Sequence, residues 1–284
     1  MSVHDQRDDL IVIIDSAARR TDGESVRIAK DVLGAGAALK LCLPEGPEEF
    51  ARALVRRGAR RPVVVGDDAA LRRAVGVLHR ERALEATDLA VVPVAGGAAG
   101  MRLARALGVP AGAVAAARAV LDGVPRRLDL LVDDRDEVVL GDVRIPSGGA
   151  TAKAGAKAGE GAAGERHTWL RTCQSLVRTL GTRPAARAAA GPARLRVEAD
   201  GVTLVDLDQP VERVSVAPGG GGLARVEVRT CAAGGEGAAL RARARSVTVS
   251  GPDFRYGADG DTAGPVRTRT WTAHPKAWVL TLPR

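Results

Sequence analysis

Residues 10–14, 38–43, 62–65 and 89–94 are four short apolar runs, and stretches patterned for helices, 24–33, 47–57 and 69–79, lie between them. No other feature constrains the fold as much. A strand that is apolar throughout must be covered on both faces, as when helices pack on each side of a parallel sheet. Within 69–79, Leu71, Val75 and Leu78 recur at helical spacing. Pro47 suits a first helical turn, and Glu48 and Glu49 suit the positive end of a helix dipole. Two further helical stretches, 101–107 and 113–121, are separated by the breaker Gly108-Val109-Pro110. Residues 1–126 are therefore expected to form an α/β domain with a parallel, doubly wound sheet. Ligands of such sheets bind beyond the carboxyl ends of the strands, here residues 15–23, 66–70 and 95–100.

The pattern changes after residue 126. Residues 127–132 and 137–145 are strand candidates joined by Asp133-Asp134-Arg135-Asp136. A Gly/Ala-rich segment near 146–164 has the composition of a flexible linker, and 167–180 is patterned as a helix. From 193 onward the chain is a string of β candidates, at 195–198, 202–205, 211–217, 223–229, 240–249, 254–258, 266–272 and 277–282. Asp200-Gly201 and Asp259-Gly260 are tight-turn signals. Residues 127–284 are thus expected to form an antiparallel β-sandwich domain. The four glycines 219–222 fit a hairpin connection better than a phosphate cradle, since no helix pattern follows them. Exposed strand edges in this second domain could pair between chains and make a homodimer.

Composition narrows the functions. The chain carries 42 Lys and Arg against 34 Asp and Glu, a net +8. That balance suits nucleotide phosphates, an anionic membrane or nucleic acid. Aromatic residues are only 2% of the chain, too few for the stacking platforms of single-strand binders, which argues against nucleic acid. Cys42, Cys173 and Cys231 form no CxxC pair, which argues against a zinc ribbon or a disulfide framework. The charged start and the lack of an apolar run near about 18 residues point to a cytoplasmic protein whose membrane contact, if any, is peripheral. The GxxxxGK[ST] loop, the GxSxG elbow and the HExxH helix do not occur.

One ordered set of motifs remains. The third apolar run leads into Gly66-Asp67-Asp68-Ala69-Ala70 and a helix. The fourth ends in Val92-Pro93-Val94, and the small-residue loop 95–100 leads to Leu103-Ala104-Arg105-Ala106-Leu107-Gly108-Val109-Pro110. Leu121-Asp122-Gly123 and Arg127-Leu128-Asp129-Leu130 follow. Near the end stand Phe254-Arg255-Tyr256-Gly257-Ala258-Asp259-Gly260-Asp261 and then His274-Pro275-Lys276-Ala277-Trp278. This order resembles the diacylglycerol kinase catalytic domain, shared with sphingosine kinases and bacterial lipid kinases. That family runs strand–GGDGT–helix, then strand–PLGTGNDFAR–LG(I/V)P, with a late DGE motif in its β domain. The likeness covers most of the chain outside roughly 146–192.

The resemblance implies ATP and Mg²⁺ as cofactors and phosphorylation of a primary alcohol on a lipid. Its partners would be a nucleotide and a lipid met at the membrane surface. Carried onto this chain, it makes Asp68 the base or Mg²⁺-positioning carboxylate, and so the metal candidate. Asp261 becomes the carboxylate from the second domain. Gly66, Asp67, Gly96, Gly97, Asp15 and Arg19 would surround the nucleotide. Glycines there let backbone N–H groups approach phosphate oxygens. The chain departs from the pattern at several points: Asp67, Ala69 and Ala70 replace Gly, Gly and Thr, and loop 95–100 lacks Thr, Asn and Asp. Asp15-Ser16 stands for Asn-Pro, and Asp261 for glutamate. Two functions therefore stay open, an active lipid kinase and a catalytically inactive relative that serves as a nucleotide- or lipid-binding or regulatory module.

Overall fold

The computed structural model describes residues 9–146, 192–231 and 238–284. The expected segment near 146–164, beyond Pro146, and the expected helix 167–180 lie outside the described residues. The four apolar runs form strands β1 (Asp9–Ile14), β2 (Ala38–Cys42), β3 (Arg61–Gly66) and β4 (Asp88–Pro93). They pair in parallel in the order β4-β3-β1-β2. Alternate residues serve opposite faces. Leu10, Val12, Val63, Val65, Ala90 and Val92 pack under α2 (Gly23–Gly36) and α6 (Ala113–Asp122). Ile11, Ile13, Val64, Leu89 and Val91 pack under α3 (Pro47–Val55) and α4 (Asp68–Arg80). This two-sided burial is why the strands are apolar throughout.

Residues 15–23, expected beyond the carboxyl end of the first strand, contain the short helix α1 (Ser16–Thr21). Its start is set by Asp15, whose carboxylate accepts the Ala17 N–H at 3.0 Å. After β4 a 3₁₀ turn at Ala98–Met101 leads into α5 (Arg102–Ala106).

Beyond α6 the chain is β-rich and antiparallel. Its strands are β5 (Val124–Asp133), β6 (Val138–Val139), β7 (Val143–Ile145), β8 (Ala193–Arg194), β9 (Arg196–Ala199), β10 (Val202–Val205), β11 (Pro210–Pro218), β12 (Ala224–Thr230), β13 (Ala239–Ala244), β14 (Ser246–Ala258) and β15 (Asp261–Leu282). Their inward side chains, among them Val214, Val226, Val247, Tyr256 and Trp271, form a separate core. Asp200-Gly201 and Asp259-Gly260 make tight turns with both residues at positive φ, the geometry a two-residue hairpin needs. Residues 219–222 connect β11 to β12, with the Gly219 N–H donating to Leu223 O at 2.7 Å.

Four expected strand boundaries differ. Residues 254–258 continue from 246–249 in one strand, β14, with register shifts between Ser250 and Tyr256. Long-range carboxylates or a bulge account for the other three. Residues 137–145 form two strands because the Asp259 carboxylate takes the N–H groups of Leu140, Gly141 and Asp142 away from pairing. Residues 240–249 break at Arg245, where Asp200 accepts the N–H groups of Arg245 and Ser246. Residues 266–272 and 277–282 belong to one strand, β15, with a register shift between His274 and Trp278. At that bulge Lys276 has φ 50°, and its N–H donates to Asp129 at 2.9 Å. The first part of β15 pairs with β14, and its last part lies between β5 and β4, parallel to β4 at Val279 and Leu280. The chain end therefore joins the two sheets, and Trp278, Leu130 and Leu140 enter the core beneath α3 and α4.

Candidate functional site

The sheet order puts its topological switch between β1 and β3, the place where ligands of doubly wound sheets bind. Beyond that crevice stand Asp15, after β1, and residues 66–70, after β3. Besides capping α1, Asp15 accepts a hydrogen bond from Arg73 at 2.7 Å and forms a largely buried ion pair with it. The Arg73 guanidinium in turn lies 5.3 Å from the centre of the Phe50 ring. A β carbon on Gly66 would meet Ala70 Cβ at 2.6 Å and Asp15 Cβ at 3.1 Å. Close packing of α4 over the strand end therefore requires this glycine, and the Ala70 methyl fills the side it leaves open.

The two aspartates that follow have separate tasks. Asp67 is the N-cap of α4, accepting the Ala70 N–H at 2.9 Å. Asp67→Ala is expected to lower stability by about 1 kcal/mol in denaturant unfolding, and Asp67→Ser to retain most of it. Asp68 is 8% exposed. Its two oxygens accept the N–H groups of Leu103 at 2.8 Å and Ala104 at 3.0 Å, in the first turn of α5. A helix start offers unpaired N–H donors and a positive dipole end, so this is a stable place for a carboxylate. A Mg²⁺ ion at Asp68 would have to reach the one lone pair that each donor leaves on a buried carboxylate.

The remaining sequence candidates are spread out. Arg19 donates to Glu45 at 2.9 Å and to the Pro44 carbonyl at 3.3 Å, tying α1 to the segment after β2. Gly96 and Gly97 lie in the loop after β4. A β carbon on Gly96 would make ordinary contact with Thr21 at 3.5 Å, and one on Gly97 would meet nothing. Asp261 opens β15, is exposed, and pairs with Arg72 at 2.5 Å. Arg72 also donates to the Asp259 carbonyl at 2.8 Å, so one side chain of α4 contacts both ends of the β14–β15 turn.

Asp15, Gly66 and Asp67 therefore gather at the switch point, Asp68 turns to α5, and Asp261 meets Arg72 on another side of α4. Sequence reasoning missed Arg72 and Arg73, which share α4 with the Gly66–Ala70 motif. The signal was present, since Asp68 and Arg72 are one helical turn apart. Sequence reasoning placed Asp259 in a tight turn and in the late motif 254–261 but gave its carboxylate no task. Asp259 receives the three N–H groups of residues 140–142 at 2.7–3.0 Å, and burial pushes its carboxyl up against the pull of those donors and of Arg72.

A cleft of about 540 Å³ runs along α4. Arg72, Gly76 and Arg80 line one wall, with Asp136, Tyr256 and Trp271 opposite. Neither Asp68 nor residues 95–100 line it, so Asp68 and Asp261 do not face each other across it. Tyr256 and Trp271 meet edge to face, 5.4 Å between ring centres, and the Trp271 Nε1–H is buried without a hydrogen-bond partner among the described residues. Burial pushes the Tyr256 phenol up, with Arg269 opposing. At the far end, a hydrogen bond from His79 at 2.7 Å holds the Asp136 carboxyl below its ordinary range. Among the described residues, no three His, Cys, Asp or Glu side chains are grouped to hold a metal ion. No described helix is long and apolar enough to cross a membrane.

No family model matches the chain, and no curated protein matches it. Solved structures do. A crystal structure of a "putative diacylglycerol kinase" from Bacillus anthracis str. Sterne superposes with a TM-score of 0.69 at 14% identity, covering 98% of each chain. A second structure described in the same words gives 0.67 at 13% identity, again over 98% of each chain. A third, described as a diacylglycerol kinase of the same strain, gives 0.65 at 11% identity over 98% of this chain and 97% of that one. The chain has the diacylglycerol-kinase-like fold over nearly its whole length, the fold its ordered motifs resemble.

Proposed function

We propose that this chain is a non-catalytic member of the diacylglycerol kinase family, keeping the two-domain scaffold as a binding module for a phosphorylated ligand, a nucleotide or a lipid. The observation that carries this reading is Asp68. A general base needs an oxygen free to take the alcohol proton, and a metal ligand needs a lone pair aimed at the ion. Each Asp68 oxygen already accepts one N–H at the start of α5, and the carboxylate is buried and does not line the cleft, so neither an alcohol nor an ion in the cleft reaches its remaining lone pairs. Two further facts point the same way: Asp261 is neutralised by Arg72 and Asp15 by Arg73. Asp67 would repel a phosphate at the strand end, and its capping role explains its presence without chemistry. The binding half of the proposal rests on the cleft along α4, whose walls also carry Arg80 and Arg135, cations not committed to Asp15 or Asp261 and suited to phosphate oxygens.

The test pairs turnover with binding. Purified protein and its Asp68→Asn variant are incubated with labelled ATP, Mg²⁺ and diacylglycerol in mixed vesicles, and each is titrated with ATP and with phosphatidic acid by calorimetry. The expected result is no transfer to lipid above the protein-free blank, with saturable binding of at least one ligand. Lipid phosphorylation by the parent that disappears in Asp68→Asn would overturn the non-catalytic reading and restore the lipid kinase. A folded protein that binds neither ligand would overturn the binding half.

A further inference from the structure

The outward face of the strands β13, β12, β11 and β7 carries a grid of arginines. Register fixes which side chains share it. Arg243 lies opposite Arg225 and Arg241 opposite Glu227 across β13 and β12. Arg229 lies opposite Arg213, and Glu227 opposite Ser215, across β12 and β11. Ser215 lies opposite Arg144 across β11 and β7. All six arginines are exposed, while the intervening Val214, Val226 and Val228 are fully buried in the β core. Strands about 4.8 Å apart make this face about 14 Å across.

Two of these placements oppose like charges directly, Arg225 with Arg243 and Arg213 with Arg229. Directly opposed like charges destabilise a sheet. The relief available within the chain is partial. Glu227 serves both Arg229 and Arg241, Asp142 serves Arg144, and Arg243 reaches the carbonyls of Gly219 and Gly220. Among the described residues Arg213 and Arg225 have no hydrogen-bond or ion-pair partner. A planar anionic surface laid on this face would remove the repulsion that the sheet itself does not.

We infer that this arginine face docks the protein onto an anionic lipid bilayer. A sheet face presents strands side by side and not the protruding helix or two-stranded ribbon that enters a nucleic-acid groove. It presents no aromatic side chain for base stacking, because Phe254 and Tyr256 of the neighbouring β14 point into the core. Guanidinium groups spread over a broad sheet face instead match phosphate headgroups spread over a bilayer surface. The face lies outside the cleft along α4, so the inference stands whichever way the catalytic question is answered.

The test is flotation of the full chain with vesicles of phosphatidylcholine alone and of an equimolar phosphatidylcholine–phosphatidylglycerol mixture. The comparison protein carries Arg213→Gln, Arg225→Gln, Arg229→Gln and Arg243→Gln together. The parent is expected to float with the anionic vesicles only and to be released by salt. Each basic residue near such a surface contributes roughly fivefold to partitioning, so the quadruple variant should bind at least about a hundredfold more weakly. Its melting temperature should stay close to the parent's, because relief of the opposed pairs offsets the lost contacts of Arg229 with Glu227 and of Arg243 with the carbonyls of Gly219 and Gly220; this separates lost docking from lost folding. Equal flotation of parent and variant, or no flotation of the parent with anionic vesicles, would overturn the proposal. So would release of the bound parent by duplex DNA at equal phosphate concentration, which would assign the face to nucleic acid.

Discussion

Replacing Arg269 with methionine is expected to lower the unfolding free energy by about 3–5 kcal/mol. Arg269 is 3% exposed, an unusual place for a guanidinium. It is held by Asp134, by Asp133 at 3.5 Å and by the face of Tyr256, with 5.7 Å from guanidinium carbon to ring centre. Asp133 is itself buried, and its other oxygen accepts the N–H groups of Arg135 and Glu137, shaping the turn between β5 and β6. Methionine would fill the volume but strand the Asp133 charge beside Trp271 and Tyr256. Most of the loss therefore comes from the unpaired carboxylate, not from the missing contact. Adding Asp133→Asn to the methionine variant should restore part of the stability, because the buried charge is then removed. Urea midpoints at unchanged slope measure both effects. A loss below about 1 kcal/mol in the single variant would mean that water reaches Asp133 and that the pair contributes little.

The second large effect is expected at Asp259. Asp259→Asn should cost about 2–3 kcal/mol, since one of three converging N–H donors would face an amide NH₂ instead of an oxygen. Asparagine tolerates the positive φ of 50° at this turn nearly as well as aspartate, so the substitution isolates the hydrogen bonds. Asp259→Ala should cost more, adding backbone strain of about 1–2 kcal/mol to the lost acceptors. Hydrogen exchange would show where the loss is felt: the amides of Leu140, Gly141 and Asp142 should exchange faster than those of β11 and β12. Uniform protection in Asp259→Asn would show that the segment between β6 and β7 is held by other contacts.

These two residues show how unevenly the sequence discloses the molecule. The parallel sheet was legible because its apolar runs are short, continuous and separated by helical periodicity, all local properties. The tight turns at Asp200-Gly201 and Asp259-Gly260 were legible because few residues adopt positive φ at both turn positions. The short α1 escaped notice because six residues carry too little periodicity to mark a helix, though Asp15 is a fitting cap. The order of motifs along the chain pointed to the diacylglycerol-kinase-like fold at a level of identity where whole-chain likeness had faded.

What only the tertiary structure decided is the use to which each carboxylate is put. From sequence, Asp68 and Asp261 could equally hold a metal, accept a proton or serve the scaffold. Asp68 meets its donors 35 and 36 positions away, Asp261 meets Arg72 across 189 positions, and Asp259 reaches back nearly 120 positions to break a strand. The same holds for the arginine face, whose like-charge pairs exist only because strand register sets residues opposite each other. Element type follows from neighbours in the chain, so the sequence alone determined the layered architecture. The state of a carboxylate or guanidinium depends on which donors, charges and solvent surround it in space, and that surrounding forms only when distant segments pack.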